Sequence, residues 1–374
     1  MKFHKETNRC HQGKNGTESY PAKYKGKPKM QQETMSLEAA TALVQNLKAA
    51  VAESIFGQEE LITEAVCCLI SGGHILMTGA PGLAKTSLVR VFAQNLGLQF
   101  GRVQFTPDLL PSDIIGSDIL NIDDETGRKV FEFAKGPIFV NLLLADEINR
   151  ASPRTQSALL EAMQERTSTV GGTSYQLPDP FMVFATQNPF ESEGAFPLPE
   201  AQLDRFLLHS IVDYPKVEDE EKILQAHVGN KLVGEQKGPI RGVTTIGLEG
   251  VRALIASKQN IKIPEEIVTM INLLVRSTRP QDAACPDSVK NLIWYGAGPR
   301  AGISLISVCR AIALLEGSDT VRWRHVRRMA KPVLRHRIRL GIHAQGEQFA
   351  EDQIVDLLVK QIEEQAELKA KGWL

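Results

Sequence analysis

The segment Gly79-Ala80-Pro81-Gly82-Leu83-Ala84-Lys85-Thr86, entered from the apolar run Ile75-Leu76-Met77-Thr78, has the residue types that hold a phosphate chain. A Gly and Pro turn leaves backbone N–H groups free to surround an anion, a Lys can reach the outer phosphates, and a Thr hydroxyl at a helix start can ligate Mg²⁺. The usual loop has Gly immediately before the Lys. Here that residue is Ala84, so the loop alone is an imperfect match.

Downstream, the apolar run Val140-Asn141-Leu142-Leu143-Leu144-Ala145 ends in two adjacent carboxylates, Asp146 and Glu147. A strand buried on both faces reads this way, and its C-terminal end is where open α/β sheets bind ligands. Asp146 is suited to Mg²⁺, usually through water, and Glu147 to polarising an attacking water; the plainer alternative has Asp146 capping the next helix. A second such run, Phe184-Ala185-Thr186-Gln187, ends at Asn188-Pro189. A neutral amide donates and accepts without repelling a nucleophile, so Asn188 could orient that water, although an Asn before Pro is by itself more often a turn residue. Two arginines complete the set, Arg205 in Gln202-Leu203-Asp204-Arg205-Phe206 and Arg300 in Gly296-Ala297-Gly298-Pro299-Arg300-Ala301. A guanidinium delivered to a transferring phosphoryl group is worth about 10³ to 10⁵ in rate. In isolation each Arg would read as a surface ion pair.

Residues so far apart need a scaffold that gathers strand ends. From Ser36 the apolar spacing predicts a helix through Ile55, a break at Phe56-Gly57 and a second helix from Gln58 to Leu69. Strands are predicted at Ile75–Thr78, Arg102–Phe105, Val140–Ala145, Phe181–Thr186 and Leu207–Val212. They alternate with helices at Lys85–Leu96, Pro153–Arg166 and Glu200–Arg205. This is the pattern of an α/β core with a parallel sheet sandwiched by helices. Two stretches, Ile119–Phe133 and Thr167–Gln176, alternate around Gly-containing turns and read as inserted β-hairpins. The remainder, with helices predicted at Glu265–Ser277, Ser288–Trp294, Ala301–Leu315, Arg322–Arg339 and Glu351–Lys369, reads as a C-terminal α-helical lid domain. The predicted organisation is a disordered tail over 1–35, a core over 36–235 and a lid over 236–374.

Composition narrows the class. At 374 residues the chain can bury a real core, and a net charge of −1 removes any whole-chain argument for nucleic acid or an acidic membrane surface. Five cysteines without metal-ligand spacing read as reduced and cytosolic, and Cys67-Cys68 reads as packing inside a helix. Residues 1–34 are polar and Lys-rich, too poor in aliphatic side chains to offset chain entropy. Neither export nor membrane insertion is encoded, since no segment approaches the roughly 20 apolar residues of a span.

Taken in order, GAPGLAKT, QFTPDLLPSDIIG, GPIFVNLLLADEINR, TQSALLEAMQE, FATQNP, FPLPEAQLDRF and GAGPRA strongly resemble the MoxR family of AAA+ ATPases, over about Gln58 to Arg339. In that family Ala commonly precedes the loop Lys, so Ala84 is expected. The resemblance implies that Gly79, Ala80, Pro81, Gly82, Leu83, Ala84, Lys85, Thr86 and Ser87 bind ATP, with Thr86 and Asp146 on Mg²⁺. It makes Asp146 and Glu147 the Walker B pair, Asn188 sensor 1, Arg205 an arginine finger for the neighbouring subunit, and Arg300 the sensor 2 arginine. Gly57 and Gln58 would lie near the adenine. The frequent Ser before the Pro of the sensor 2 motif is Gly298 here.

An arginine supplied in trans implies a homo-oligomeric ring, a hexamer, in which lid rotation through Arg300 moves the hairpins. Three functions compete. The family implies a chaperone-like remodeller that activates a protein client, one with a von Willebrand factor A domain, and assists metal or cofactor insertion. A nucleic-acid motor needs basic hairpin tips, yet Gly171–Gln176 has no Lys or Arg and Arg128-Lys129 sits beside Asp123-Asp124-Glu125. The basic stretch Arg322–Arg339 reads first as a lid helix facing a subunit interface or solvent. A chelatase ATPase subunit is the third reading.

Overall fold

The computed structural model describes residues 34–122, 129–189, 195–228, 245–346 and 350–370. The predicted tail, the first hairpin's turn with Asp123-Asp124-Glu125 and Arg128, and the predicted boundary near residue 235 lie outside the described residues. The chain enters where predicted. Ser36 caps α1 (Leu37–Ala52), its hydroxyl accepting the Ala39 N–H at 3.3 Å, and Ala40, Val44, Leu47 and Val51 bury one face. Helix α2 (Glu59–Ser71) follows, with Cys67 and Cys68 fully buried inside it.

The core then runs β1 (Ile75–Gly79), α3 (Lys85–Leu96), β2 (Phe100–Gln104), α4 (Pro111–Ile115), a hairpin of β3 (Gly116–Ile122) and β4 (Lys129–Lys135), β5 (Leu142–Asp146), and α5 (Pro153–Glu165). A second hairpin, β6 (Thr167–Val170) with β7 (Thr173–Gln176), precedes β8 (Met182–Gln187), α6 (Glu200–Leu203), β9 (Leu208–Val212) and α7 (Val217–Val228). The main sheet is parallel throughout, in the order β2-β5-β8-β1-β9.

Strand periodicity builds a core on each face of that sheet. Ile75, Met77, Leu142, Leu144, Met182 and Phe184 pack with α1, α2 and α3, and the lid belongs to this same cluster. Leu76, Leu143, Ala145, Val183 and Ala185 point the other way, against Leu159, Leu160 and Met163 of α5. The inner strands are therefore apolar on both faces until their C-terminal ends, as their sequence implied. Both hairpins form, the first longer than predicted. Gly171 and Gly172 turn the second with φ +56° and +81°, a pairing that Gly alone adopts freely. Phe133 of β4 stacks on Tyr175 of β7 with centroids 4.0 Å apart, so the two hairpins lean together.

The C-terminal part comprises α8 (Gly247–Ser257), α9 (Glu265–Ser277), α10 (Asp287–Lys290), β10 (Ile293–Tyr295), α11 (Pro299–Leu315), α12 (Trp323–Leu334), β11 (Arg339–Leu340), α13 (Ile342–Gly346) and α14 (Glu351–Ala370). Two predicted helices are corrected. Ser288–Trp294 yields only the short α10, because Ile293-Trp294-Tyr295 pair as a strand with β11, where Ile293 faces Leu340 and Tyr295 faces Arg339. The helix predicted over Arg322–Arg339 stops at Leu334, soon after Pro332, which has no N–H to continue the ladder; a tight 3₁₀ turn over Arg335–Arg337 then leads into β11. Among the described residues no helix is long and apolar enough to cross a membrane.

Candidate nucleotide site

At Gly79 the chain leaves β1 so close to β9 that an added Cβ would collide with the Val212 carbonyl. The loop that follows is built on left-handed residues, Gly82 at φ +84° and Ala84 at φ +53° as the first cap of α3. Ala pays about 1–2 kcal/mol for that conformation, a strain that aims the N-terminus of α3 into the loop. Lys85 Nζ lies across the loop, donating to the Gly79 carbonyl at 2.5 Å and the Ala80 carbonyl at 3.2 Å. Its half-burial lowers its pKa, and the nearby Asp146 and Glu147 oppose that.

The acids arrive from the neighbouring strands. Residue pairing between β2 and β5 sets Gln104 opposite Asp146, and β8 brings Thr186 alongside. Thr186 is the joint: its hydroxyl donates to Asp146 Oδ1 at 2.6 Å and accepts the Glu147 N–H at 2.8 Å. Asp146 Oδ2 also takes Arg102 Nη2 at 2.7 Å. Glu147 stands at φ +57°, and its Oε2 accepts from Gln104 Nε2 at 2.7 Å and Arg150 Nη1 at 2.8 Å. Arg102, Gln104, Asp146, Glu147 and Thr186, with Pro81 through Ser87 and Asn188, line one cleft of about 400 Å³.

This donor set fits Mg²⁺ and a triphosphate. Nothing stands within 4 Å of where a side chain would project from Gly82, leaving the cradle open above the helix start. A Thr hydroxyl and a carboxylate are the hard oxygen ligands that Mg²⁺ takes, and Lys85 supplies the facing cation. Beside this cleft, β9 ends next to β1 and opens a second pocket of about 380 Å³ lined by Gly57, Gln58, Glu64, Tyr214 and Arg335. Gln58 Nε2 donates to the Asp213 carbonyl at 3.1 Å, and Gly57 at φ +71° sits where a Cβ would press on Pro215.

Arg205 and Arg300 do not join Lys85. They line a separate cleft of about 330 Å³ that also holds Arg166, Arg337 and Asp204 and contains no part of the phosphate loop. Arg300 Nη1 reaches Asp204 Oδ2 at 3.4 Å.

The chain's matches agree with this geometry. A model described as "ATPase family associated with various cellular activities (AAA)" matches residues 74–208, and an AAA lid domain model matches 288–358. Chaperone MoxR1 of Mycobacterium tuberculosis is 38% identical over 328 residues, 87% of this chain and 84% of that protein. The chain belongs to the MoxR family of AAA+ ATPases. Protein MoxR of Paracoccus denitrificans is 32% identical across 80% of this chain and 89% of its own length. A crystal structure assigned to an ATPase of Cytophaga hutchinsonii superposes with a TM-score of 0.78 at 36% identity, covering 87% of this chain and 95% of that one.

Within this MoxR-family chain the basic residues of the lid pair with acids of the same chain, and only Arg335 and Arg337 are largely covered. Arg324 pairs with Glu316, Arg327 with Glu363, Arg328 with Glu60 and Glu316, Lys331 with Asp356, Arg335 with Asp352, Arg337 with Asp204 and Arg339 with Glu200. The acids come from α2, α6, α14 and the end of α11, while the Arg324, Arg327 and Arg339 side chains stay more than half exposed, in keeping with a basic face turned to solvent. Sequence reasoning also passed over Arg102, Gln104, Arg150 and Thr186. Gln104 opens one of the motifs that carried the family resemblance, yet only the β2–β5 register reveals that it reaches Glu147.

Proposed function

We propose that the chain is a Mg²⁺-dependent ATPase whose catalytic sites are completed between copies in a ring, most simply a hexamer, and whose turnover remodels a protein client. The observation that carries this reading is the separation of the charges. Lys85, Thr86, Asp146, Glu147 and Asn188 converge on one cleft, while Arg205 and Arg300 line another. Two arginines that cannot serve their own chain's phosphate loop from there are available to a neighbour's.

In this reading Lys85 exchanges its two loop carbonyls for phosphate oxygens, and the α3 N–H groups take the rest of the charge. Thr86 and Asp146 would hold Mg²⁺, which would offset phosphate charge during transfer. Glu147, released from Gln104 and Arg150, takes a proton from the water that Asn188 orients. The pocket at Gly57 and Gln58 would receive the adenine. The client role follows the designation of one relative as a chaperone; its finer form, a von Willebrand factor A domain partner and assisted metal or cofactor insertion, rests on the family resemblance alone. A nucleic-acid motor is disfavoured because the tip of the second hairpin, Gly171–Gln176, carries no Lys or Arg to grip phosphates.

Mixing two inactive variants tests the shared site. Lys85→Ala subunits lack a working phosphate loop but keep their arginines; Arg205→Ala subunits are the reverse. An equimolar mixture should regain about a quarter of wild-type ATPase, the fraction of interfaces that pair an intact loop with an intact arginine. A mixture no more active than its parts would exclude a trans arginine.

A further inference from the structure

The lid wraps the short stretch that carries Arg205. Arg337, only 3% exposed, donates from Nε to Asp204 Oδ1 at 2.7 Å. Its remaining donors go to the carbonyls of Phe206 at 2.7 Å, Leu207 at 3.3 Å and Val333, and to Ser304 Oγ at 3.4 Å. His336 Nε2 adds a bond to the Phe206 carbonyl at 3.1 Å, and Arg339 reaches Glu200 at 2.7 Å. Segment 200–207 is thereby held by the lid residues that follow α12.

One carboxylate in that segment serves two arginines. Asp204 gives Oδ1 to the buried Arg337 and Oδ2 to Arg300, whose side chain is 57% exposed at the start of α11. The two contacts differ in strength. A single 3.4 Å contact to an exposed guanidinium is worth at most about 1 kcal/mol, so Arg300 can leave it for a phosphate. Arg337 has every donor engaged inside the protein and cannot. Arg205 is the next residue in the chain and lines the same cleft.

We infer that Asp204, anchored by Arg337, is the positioning residue for both cleft arginines, so that Arg205, Arg300 and the lid shift as one body. Asp204 fixes Arg205 through the adjoining backbone and holds Arg300 through its second oxygen until an anion replaces it. The inference rests on the shared-site reading above.

The test removes the buried pair together, Asp204→Asn with Arg337→Met, so that neither charge is left alone in the interior. Binding of a fluorescent ATP analogue should stay within about two-fold of wild type, because the variant's own loop and acids are intact. Turnover should fall about 10²-fold, the effect of displacing a reacting group by an ångström. Mixing with Lys85→Ala subunits should restore activity as Arg205→Ala does, since the defect travels with the donated arginines. Wild-type turnover of the double variant would overturn the inference. So would a mixture that stays inactive while the Arg205→Ala mixture recovers, which leaves the shared-site reading standing. If the Arg205→Ala mixture also stays inactive, that reading falls and the inference with it.

Discussion

The phosphate-loop cleft and the arginine cleft hold their charges by opposite means. In the first, Asp146 meets an Arg102 side chain that is 46% exposed, and Glu147 rests on Gln104 and Arg150; these are pairs that water can enter and a ligand can displace. In the second, Asp204 meets an Arg337 that is 3% exposed and saturated with donors. A sheet edge thus presents adjustable charges, whereas the lid clasps a fixed one. On the proposed shared-site reading, the difference suits a phosphate site that rearranges at each turnover and an arginine site that reaches a neighbour already shaped.

The largest expected effect sharpens that division. Arg205→Ala should lower kcat by about 10³ to 10⁵ while ATP still binds, measured by steady-state ATPase and analogue binding. Full activity would mean that the arginine cleft has no part in phosphoryl transfer. Next comes Glu147→Gln, expected to lose about 10² to 10⁴ in kcat and to retain unhydrolysed ATP through gel filtration. Prompt hydrolysis by this variant would move the base elsewhere in the cleft.

Stability offers the next contrast. Asp204→Ala strands a buried guanidinium and should cost about 3–5 kcal/mol. Arg102→Ala removes an exposed partner and should cost no more than about 1 kcal/mol. Urea unfolding of both variants measures the gap; equal losses would mean that the two clefts are not held differently.

How far each cleft could be read in the sequence follows the same division. Asp146, Glu147 and Asn188 stand at the ends of short apolar runs and Lys85 in the loop that follows one, so the runs located the strands and the residue types marked the site. Their partners Gln104 and Thr186 lie on those strands too, but which groups touch is set by strand register, and nothing local encodes that β2 pairs with β5. The arginine cleft was legible only as two isolated arginines. Asp204 and Arg337 are 133 residues apart, and their pairing exists only once the lid has folded onto the core. The acidic run at Glu218–Glu221 hid α7, because charge outweighed its sparse apolar positions. Ser288–Trp294 failed for the converse reason: a helix was read from Ser288, one residue after α10 begins, and strand pairing of Ile293–Tyr295 with β11 overrode its second half.

Glu64 decides whether pairing or burial alone makes the lid side rigid. It lies in the pocket beside Gly57, accepts a hydrogen bond from Ser210, and has no direct ion pair among the described residues. Burial pushes its pKa up to about 7, against the smaller opposing pulls of Ser210 and Arg335. Between its ordinary value of 4.5 and 7, the folded protein keeps a proton that the unfolded chain has released, so wild-type stability falls through that window and then levels off. Glu64→Gln keeps an acceptor for Ser210 and cannot ionise. Its melting temperature should match wild type near pH 4.5 and exceed it by a growing margin up to about pH 7. A Glu64→Gln advantage that stays flat across this range would mean that the Glu64 carboxylate is matched, and that buried charge at the junction of core and lid is compensated throughout.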